Sequence, residues 1–362
     1  MNIKKLAIFF ITAILMMSIV PAYCMGDVIW QREFDTDEYD EAAYGVAIDK
    51  SNNVIIVGYD PNTIVKYDSN GNKLWNQNVS DNYLVTVATD SSNNIIVGGS
   101  GGISKFGPNG GTALWFDTPG SVQDIAVDSN DNIIVILSDK LYKYKPVGEF
   151  VWAPKDFTDF IGLSVAVDSN NNIIVAGNTF GSLKVFKFDT NGNLLWSNTY
   201  EGLNSTAFGV AVDPNNNIIA TGCTGKNMVT IKYSSSGSQL WAKTLKEINE
   251  TRGHGVATDS NGNIFVAGSF LGYTEEDNWI VVKYDKDGNL GWKSLNPGNS
   301  KGYAYDIATD SNNNIIATGY GWKDSPTYID YFLTVKYQGE QKKRSSLPIA
   351  KILQILKLNK NK

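Results

Sequence analysis

The sequence predicts an all-β fold: a seven-bladed β-propeller of four-stranded antiparallel blades, with the N-terminal strand completing the last blade. Three observations predict it. First, the segment Val165-Ala166-Val167-Asp168-Ser169-Asn170-Asn171-Asn172-Ile173-Ile174-Val175-Ala176-Gly177 recurs. Its Asp falls at Asp49, Asp90, Asp128, Asp168, Asp213, Asp259 and Asp310, at spacings of 41, 38, 40, 45, 46 and 51. Seven copies at that period mean a ring or solenoid, not separate domains. Second, the apolar residues alternate with a period of two, and no 3.6-residue pattern is visible. Third, Trp75, Trp115, Trp152, Trp196, Trp241 and Trp292 follow six of the repeats, and the seventh stops at Val335-Lys336-Tyr337-Gln338. The missing strand stands at the other end of the chain as Val28-Ile29-Trp30. Pairing it with the last blade removes the edge an open ring would expose.

Each repeat then resolves into four strands. Val-Ala-Val is the first. Asp-Ser-Asn-Asn-Asn is a tight turn, since Asn and Asp tolerate left-handed backbone and bond their own chain. Ile-Ile-Val-Ala-Gly is a buried second strand. A variable loop leads to a third, such as Val185-Phe186-Lys187-Phe188-Asp189, and Asn191-Gly192-Asn193 turns the chain into the fourth, Leu194-Leu195-Trp196. An Ala stands two residues before every repeat Asp, which implies close backbone approach there. The 38 Asn and 34 Gly are turn chemistry repeated twice per blade.

The ends of the chain read differently. Lys4 and Lys5, the apolar run Leu6–Val20 and Pro21-Ala22-Tyr23-Cys24 form a secretory signal peptide over 1–24. The expected location is secreted or cell-surface. Tyr23 makes Cys24 a poor lipoprotein cysteine, and Cys223 is then the remaining thiol, a packing residue. The propeller spans 27–340. The tail, 341–362, is basic and partly amphipathic or frayed, with a surface contact open to it. The chain carries a net charge of −6, with 31 Lys and Arg against 37 Asp and Glu. The signal and tail hold nine of the basic residues and no acid, so the body stands near −15. That balance excludes nucleic acid as a partner.

The unit Val-Ala-x-Asp-x-x-Asn-Asn-Ile-x-Val-x-Gly resembles the SBBP β-propeller repeats, which are NHL-like in pattern. The resemblance covers roughly 27–340 and implies a secreted or surface-exposed propeller. It implies no chemistry, because its motif residues are turn and packing positions.

Enzyme readings fail on residue types. One His and two Cys give no His/Cys metal cluster, and propeller lyases that use several His with a metal are excluded. Three Arg cannot build a sialidase site. The Asp259 and Asp285 turns look like calcium loops but lack a closing acid. No catalytic residue, metal or cofactor is assigned. The expectation is a monomeric, non-enzymatic scaffold. The alternatives are an extracellular carbohydrate-active enzyme, for which paired acids are the cue, and an envelope assembly scaffold.

The candidate site lies on one face of the disc. The strand one–two and three–four turns are uniform, whereas the connections on the opposite face vary and carry aromatic residues. That loop-rich face suits a glycan or protein partner. The candidate ligand-binding residues are Trp279, Trp322, Tyr273, Tyr320, Tyr303, His254, Asp306 and Asp124. Trp279 and Trp322 stand outside the fourth-strand set, and both are expected to be exposed. His254 shares its first-strand position with Tyr44, Val85, Gln123, Leu163, Phe208 and Tyr305, which reads as packing. Asp124 and Asp306 are expected to be solvated carboxylates at the channel mouth, too far apart around the ring to share a cation. Asn78, Asn204 and Asn249 lie in glycosylation sequons.

Overall fold

The computed structural model describes residues 26–35, 41–59, 62–80, 83–202, 204–246, 250–271, 277–297, 301–323 and 329–339. The signal region, the basic tail and Tyr273 lie outside them. The described residues form 28 strands in seven four-stranded antiparallel sheets. Six sheets are consecutive in sequence. The seventh joins Lys301–Thr309, Ile315–Lys323 and Ile329–Tyr337 to the N-terminal strand Val28–Phe34. Gln31 pairs with Val335 and Phe34 with Phe332, so the closure read from the missing tryptophan strand is present.

Burial runs outward across each blade. In blade four the second strand, Ile173–Thr179, is buried over its first five residues. The outer strand, Leu194–Tyr200, has its alternate residues exposed. The first strands surround the axis and pack against the first strands of both neighbours. The cores lie between blades, where second- and third-strand aliphatics of one blade meet those of the next.

The repeat Asp does more than turn the chain. Asp168 Oδ1 accepts the backbone N–H groups of Asn170 and Asn172, each at 2.9 Å, and its Oδ2 accepts the Asn172 side chain at 2.8 Å. This locks the turn with Asn171 in the left-handed region, φ 62°. Lys187 of the third strand then places Nζ 2.8 Å from Oδ2, with side chains 4% and 0% exposed. The same buried pair joins Asp49 to Lys66, Asp90 to Lys105, Asp128 to Lys143, Asp213 to Lys232 and Asp310 to Lys336. Burial alone would raise the Asp168 carboxyl, but the Lys187 and Asn172 hydrogen bonds reverse that and hold it below its ordinary value.

The same lysines clasp the next blade. Lys105 Nζ and Trp115 Nε1 both donate to the Pro146 carbonyl at 3.0 Å. Lys336 and Trp30 both donate to the Ser69 carbonyl at 3.1 Å, which ties the closing blade to blade one. The lysine recurs at one place in all seven third strands, from Val65-Lys66-Tyr67 to Val335-Lys336-Tyr337.

A second clasp joins neighbouring turns. The N–H after the repeat Asp donates to the side chain of the left-handed residue in the next blade: Lys50 to Asn93, Ser91 to Asp131, Ser129 to Asn171, Ser169 to Asn216, Ser260 to Asn313 and Ser311 to Asn52. Between blades five and six the donor position is Pro214 and the acceptor position is Gly262, so neither partner exists. Gly262 keeps the same backbone, φ 76°, which Asn adopts elsewhere in this ring. The double substitution Pro214→Ser, Gly262→Asn is expected to stabilise by about 1 kcal/mol beyond the sum of the two singles. Denaturant unfolding of the four chains measures that coupling, and a value of zero would show the clasp to be energetically idle.

Candidate functional site

In every first strand the pairing register slips at one residue, for example between Gly253 and Gly255 and between Ala304 and Asp306. A β-bulge re-aims the side chain it carries. Here it turns Tyr44, Val85, Gln123, Leu163, Phe208, His254 and Tyr305 toward the axis, where they line a cavity of about 150 Å³. The position read as packing is therefore a channel ring.

The next residue sets how closely blades approach. A Cβ on Gly209 would lie 2.6 Å from the His254 carbonyl oxygen, and one on Gly255 would lie 2.8 Å from the Asp306 Cα. Glycine is required where those strands touch. Elsewhere side chains lace the strands together. Thr86 Oγ1 and Ser164 Oγ donate to Asp124 at 2.9 Å, as does the Val165 N–H, and the Ile125 N–H donates at 2.8 Å. Asp306 accepts the Val46 N–H of blade one at 2.9 Å and its neighbour Ile307 N–H at 2.8 Å.

Asp124 and Asp306 are therefore not solvated rim carboxylates. The strands close in around them, and what exposure they keep opens onto the channel. Burial raises both carboxyls. The four donors to Asp124 oppose that shift. Asp306 is pushed up to about 7, chiefly by burial, with the Asp124 charge adding to it across the channel.

A raised acid favours folding in its protonated form. Its contribution is complete below the ordinary carboxylate value near 4 and is lost as pH rises through about 7. His254 works the other way. Burial, with Arg252 beside it, lowers its pKa to about 4, so its contribution is present above about 6.5 and fades as pH falls. Comparing Asp306→Asn with the unaltered chain isolates the acid. The stability advantage of the unaltered chain should shrink as pH rises from about 4 to 7 in thermal melts, and a constant difference would refute the assignment.

Above the channel a groove of about 370 Å³ opens on the loop-rich face, between blades six and seven. Its lining is Glu250, Arg252, His254, Ser269, Phe270, Tyr303 and Tyr305. His254 Nε2 lies 3.1 Å from Ser269 Oγ, and its ring meets Tyr303 at 6.2 Å and Tyr305 at 5.6 Å. Tyr303 stands at 89° to Tyr320 with centroids 5.4 Å apart. Arg252 Nε donates to Glu250 Oε1 at 2.6 Å, so the two rim charges satisfy one another. His254 and Tyr305 line both groove and channel.

The structure therefore gathers His254, Tyr303, Tyr320 and Asp306 and sets Asp124 across the channel. Trp322 is half-buried at the top of blade seven, with Lys301 Nζ 4.4 Å from its ring centroid. Trp279 is not an exposed loop residue. It lies in the third strand of blade six, Asp277–Tyr284, and is 0% exposed in the core between blades six and seven. Phe160 is also buried, packed on Phe157 and Phe186. Arg252 and Tyr305 complete the groove lining beyond the sequence candidates; the signals for them are that Tyr305 stands at the His254 position and that Arg252 is one of three arginines.

The comparisons with known proteins agree with the ring. Residues 249–269 match the SBBP β-propeller repeat family. An uncharacterised WD repeat-containing protein of Acanthamoeba polyphaga mimivirus is 30% identical over 155 residues, 41% of this chain and 10% of that protein. The chain thus spans about a tenth of that relative's length. Among solved structures, the WD40 repeats of RRP9 superpose with a TM-score of 0.67 at 12% identity, covering 86% of this chain and 99% of that one. A streptogramin B lyase superposes with a TM-score of 0.62 at 14% identity, covering 84% and 97%. At such identities the likeness is one of fold. The chain is a seven-bladed β-propeller, and its segment 249–269 matches the SBBP repeat.

Proposed function

We propose that this protein is a secreted or cell-surface, non-enzymatic binding propeller that takes a glycan ligand in the groove between blades six and seven. One observation carries the reading: half-buried aromatic rings, Phe270, Tyr303 and Tyr305, wall a groove of about 370 Å³ whose rim charges are already paired. Aromatic faces suit stacking on a sugar ring, and a groove of this size falls in the range of small-ligand sites. His254 stays neutral above about pH 4 and offers a polar edge rather than a charge. A protein partner on the same face is the second reading, since aromatic rings beside polar rims also suit protein interfaces.

A glycan array tests it. Tyr303→Ala and Phe270→Ala should each weaken the strongest signal at least ~10-fold, about 1.4 kcal/mol of lost contact. Leu195→Ser, on the exposed outer rim, should leave it unchanged. Signals that survive both groove substitutions would place the site elsewhere.

A further inference from the structure

Four neighbouring blades turn aromatic rings into the channel. Phe208 meets His254 at 5.8 Å, His254 meets Tyr305 at 5.6 Å and Tyr305 meets Tyr44 at 4.7 Å, which makes one continuous arc over blades five, six, seven and one. The other three blades supply Val85, Gln123 and Leu163. Asp306, from within the arc, also lines this cavity, and no Lys or Arg is among the lining residues. Its two oxygens each accept one backbone N–H, so both keep accepting capacity. Asp124, with four donors, is the more fully satisfied acid.

We infer that the channel mouth is a subsite for the ammonium head of an organic cation, held by the faces of Phe208, His254, Tyr305 and Tyr44 and by the Asp306 carboxylate. Ring faces carry negative potential, and a desolvated cation gains most from them. The cavity of about 150 Å³ has room for a small or methylated ammonium but not for a larger body. That body would extend into the groove, since His254 and Tyr305 border both spaces. A bare metal ion fits less well. Calcium asks for six to eight oxygen ligands, and among the described residues no three His, Cys, Asp or Glu converge. The acidic body also draws cations toward the face.

The groups facing Asp306 across the cavity are Asp124, His254, Tyr44 and Tyr305. Between pH 5.5 and 8 the Asp306 carboxyl passes from mostly protonated to mostly ionised, while His254 stays neutral. Cation affinity should therefore rise roughly 30-fold over that range.

The test titrates the full chain with tetramethylammonium chloride by calorimetry, with sodium chloride at equal ionic strength as the reference. Saturable binding at pH 8, absent with sodium, weakened at least ~10-fold at pH 5.5 and lost in Asp306→Asn, is expected. Tyr44→Leu, which removes one ring face and keeps the carboxylate, should weaken binding several-fold and covers the case in which Asp306→Asn fails to fold. Methylammonium and an acetyl-lysine amide with a free side-chain amine, run beside it, separate a free amine from a lysine side chain. No saturable heat at pH 8 with any of these probes, or equal binding by the unaltered chain and Tyr44→Leu, would overturn the inference. Glycan binding in the groove is read separately, so either result can fail alone.

Discussion

Replacing Lys187 by Met is expected to destabilise the ring by about 3–5 kcal/mol. Lys187 and Asp168 are 4% and 0% exposed, and their charged atoms lie 2.8 Å apart. Removing the cation leaves a buried carboxylate with only its turn donors, and an uncompensated buried charge is among the costliest defects a core can hold. Lys187 Nζ also donates to the Ser235 carbonyl of the next blade at 3.2 Å, so the change loosens a blade junction as well. The loss is a large part of a typical domain's ~5–15 kcal/mol. Asp168→Asn combined with Lys187→Met removes both charges and should recover most of it. The deficit also depends on pH. Asp168 is held below its ordinary value, so the pair stabilises above about pH 4 and fades as pH falls through the lowered value. Urea midpoints of both single variants and the double at pH 7 and pH 3 check each step. Equal losses for the single Lys variant and the double would remove the charge argument.

Trp279→Ala should cost a similar ~3–5 kcal/mol, as a core cavity does. Its side chain is 0% exposed in a cluster with Phe265, Trp292, Tyr331 and Tyr337, the core shared by the last two blades. Trp322→Ala should cost less, about 1 kcal/mol, because Trp322 is half-buried rather than enclosed in the core, with Lys301 Nζ over its ring. Denaturant unfolding of the two variants separates them. Near-equal, small losses would mean that Trp279 is not a core residue. For ligand studies Trp279→Ala is then a poor probe of the face, since it perturbs blade packing first.

The ring was legible because its signals repeat. Asp turns, Asn residues in left-handed turns and outer-strand tryptophans each recur at a fixed place, and the strand missing at Trp30 fixed the closure. Trp279 was misread because blade six lengthens its third strand to eight residues, against five in Lys140–Tyr144. That extra length looks like loop in the sequence, although Trp279 keeps the alternation of Val281. The channel was misread for a different reason. A bulge adds one residue without a residue type of its own, so nothing in Gly253-His254-Gly255 declares that His254 turns to the axis. Asp124 and Asp306 were read as solvated because ring closure, which narrows the channel, is a long-range property. The lysine clasp was visible in every Val-Lys-Tyr-like third strand, but an isolated Lys in a strand ordinarily signals a solvated face.

The central claim is that the ligand sits where groove and channel meet on the loop-rich face. A crystal structure of the full chain soaked with the strongest glycan from the array tests it most directly. Density stacked on Tyr303, Tyr305 or Phe270 and bordering His254 is expected. Density confined to the uniform turn face or to the outer rim, with the groove empty, would contradict it.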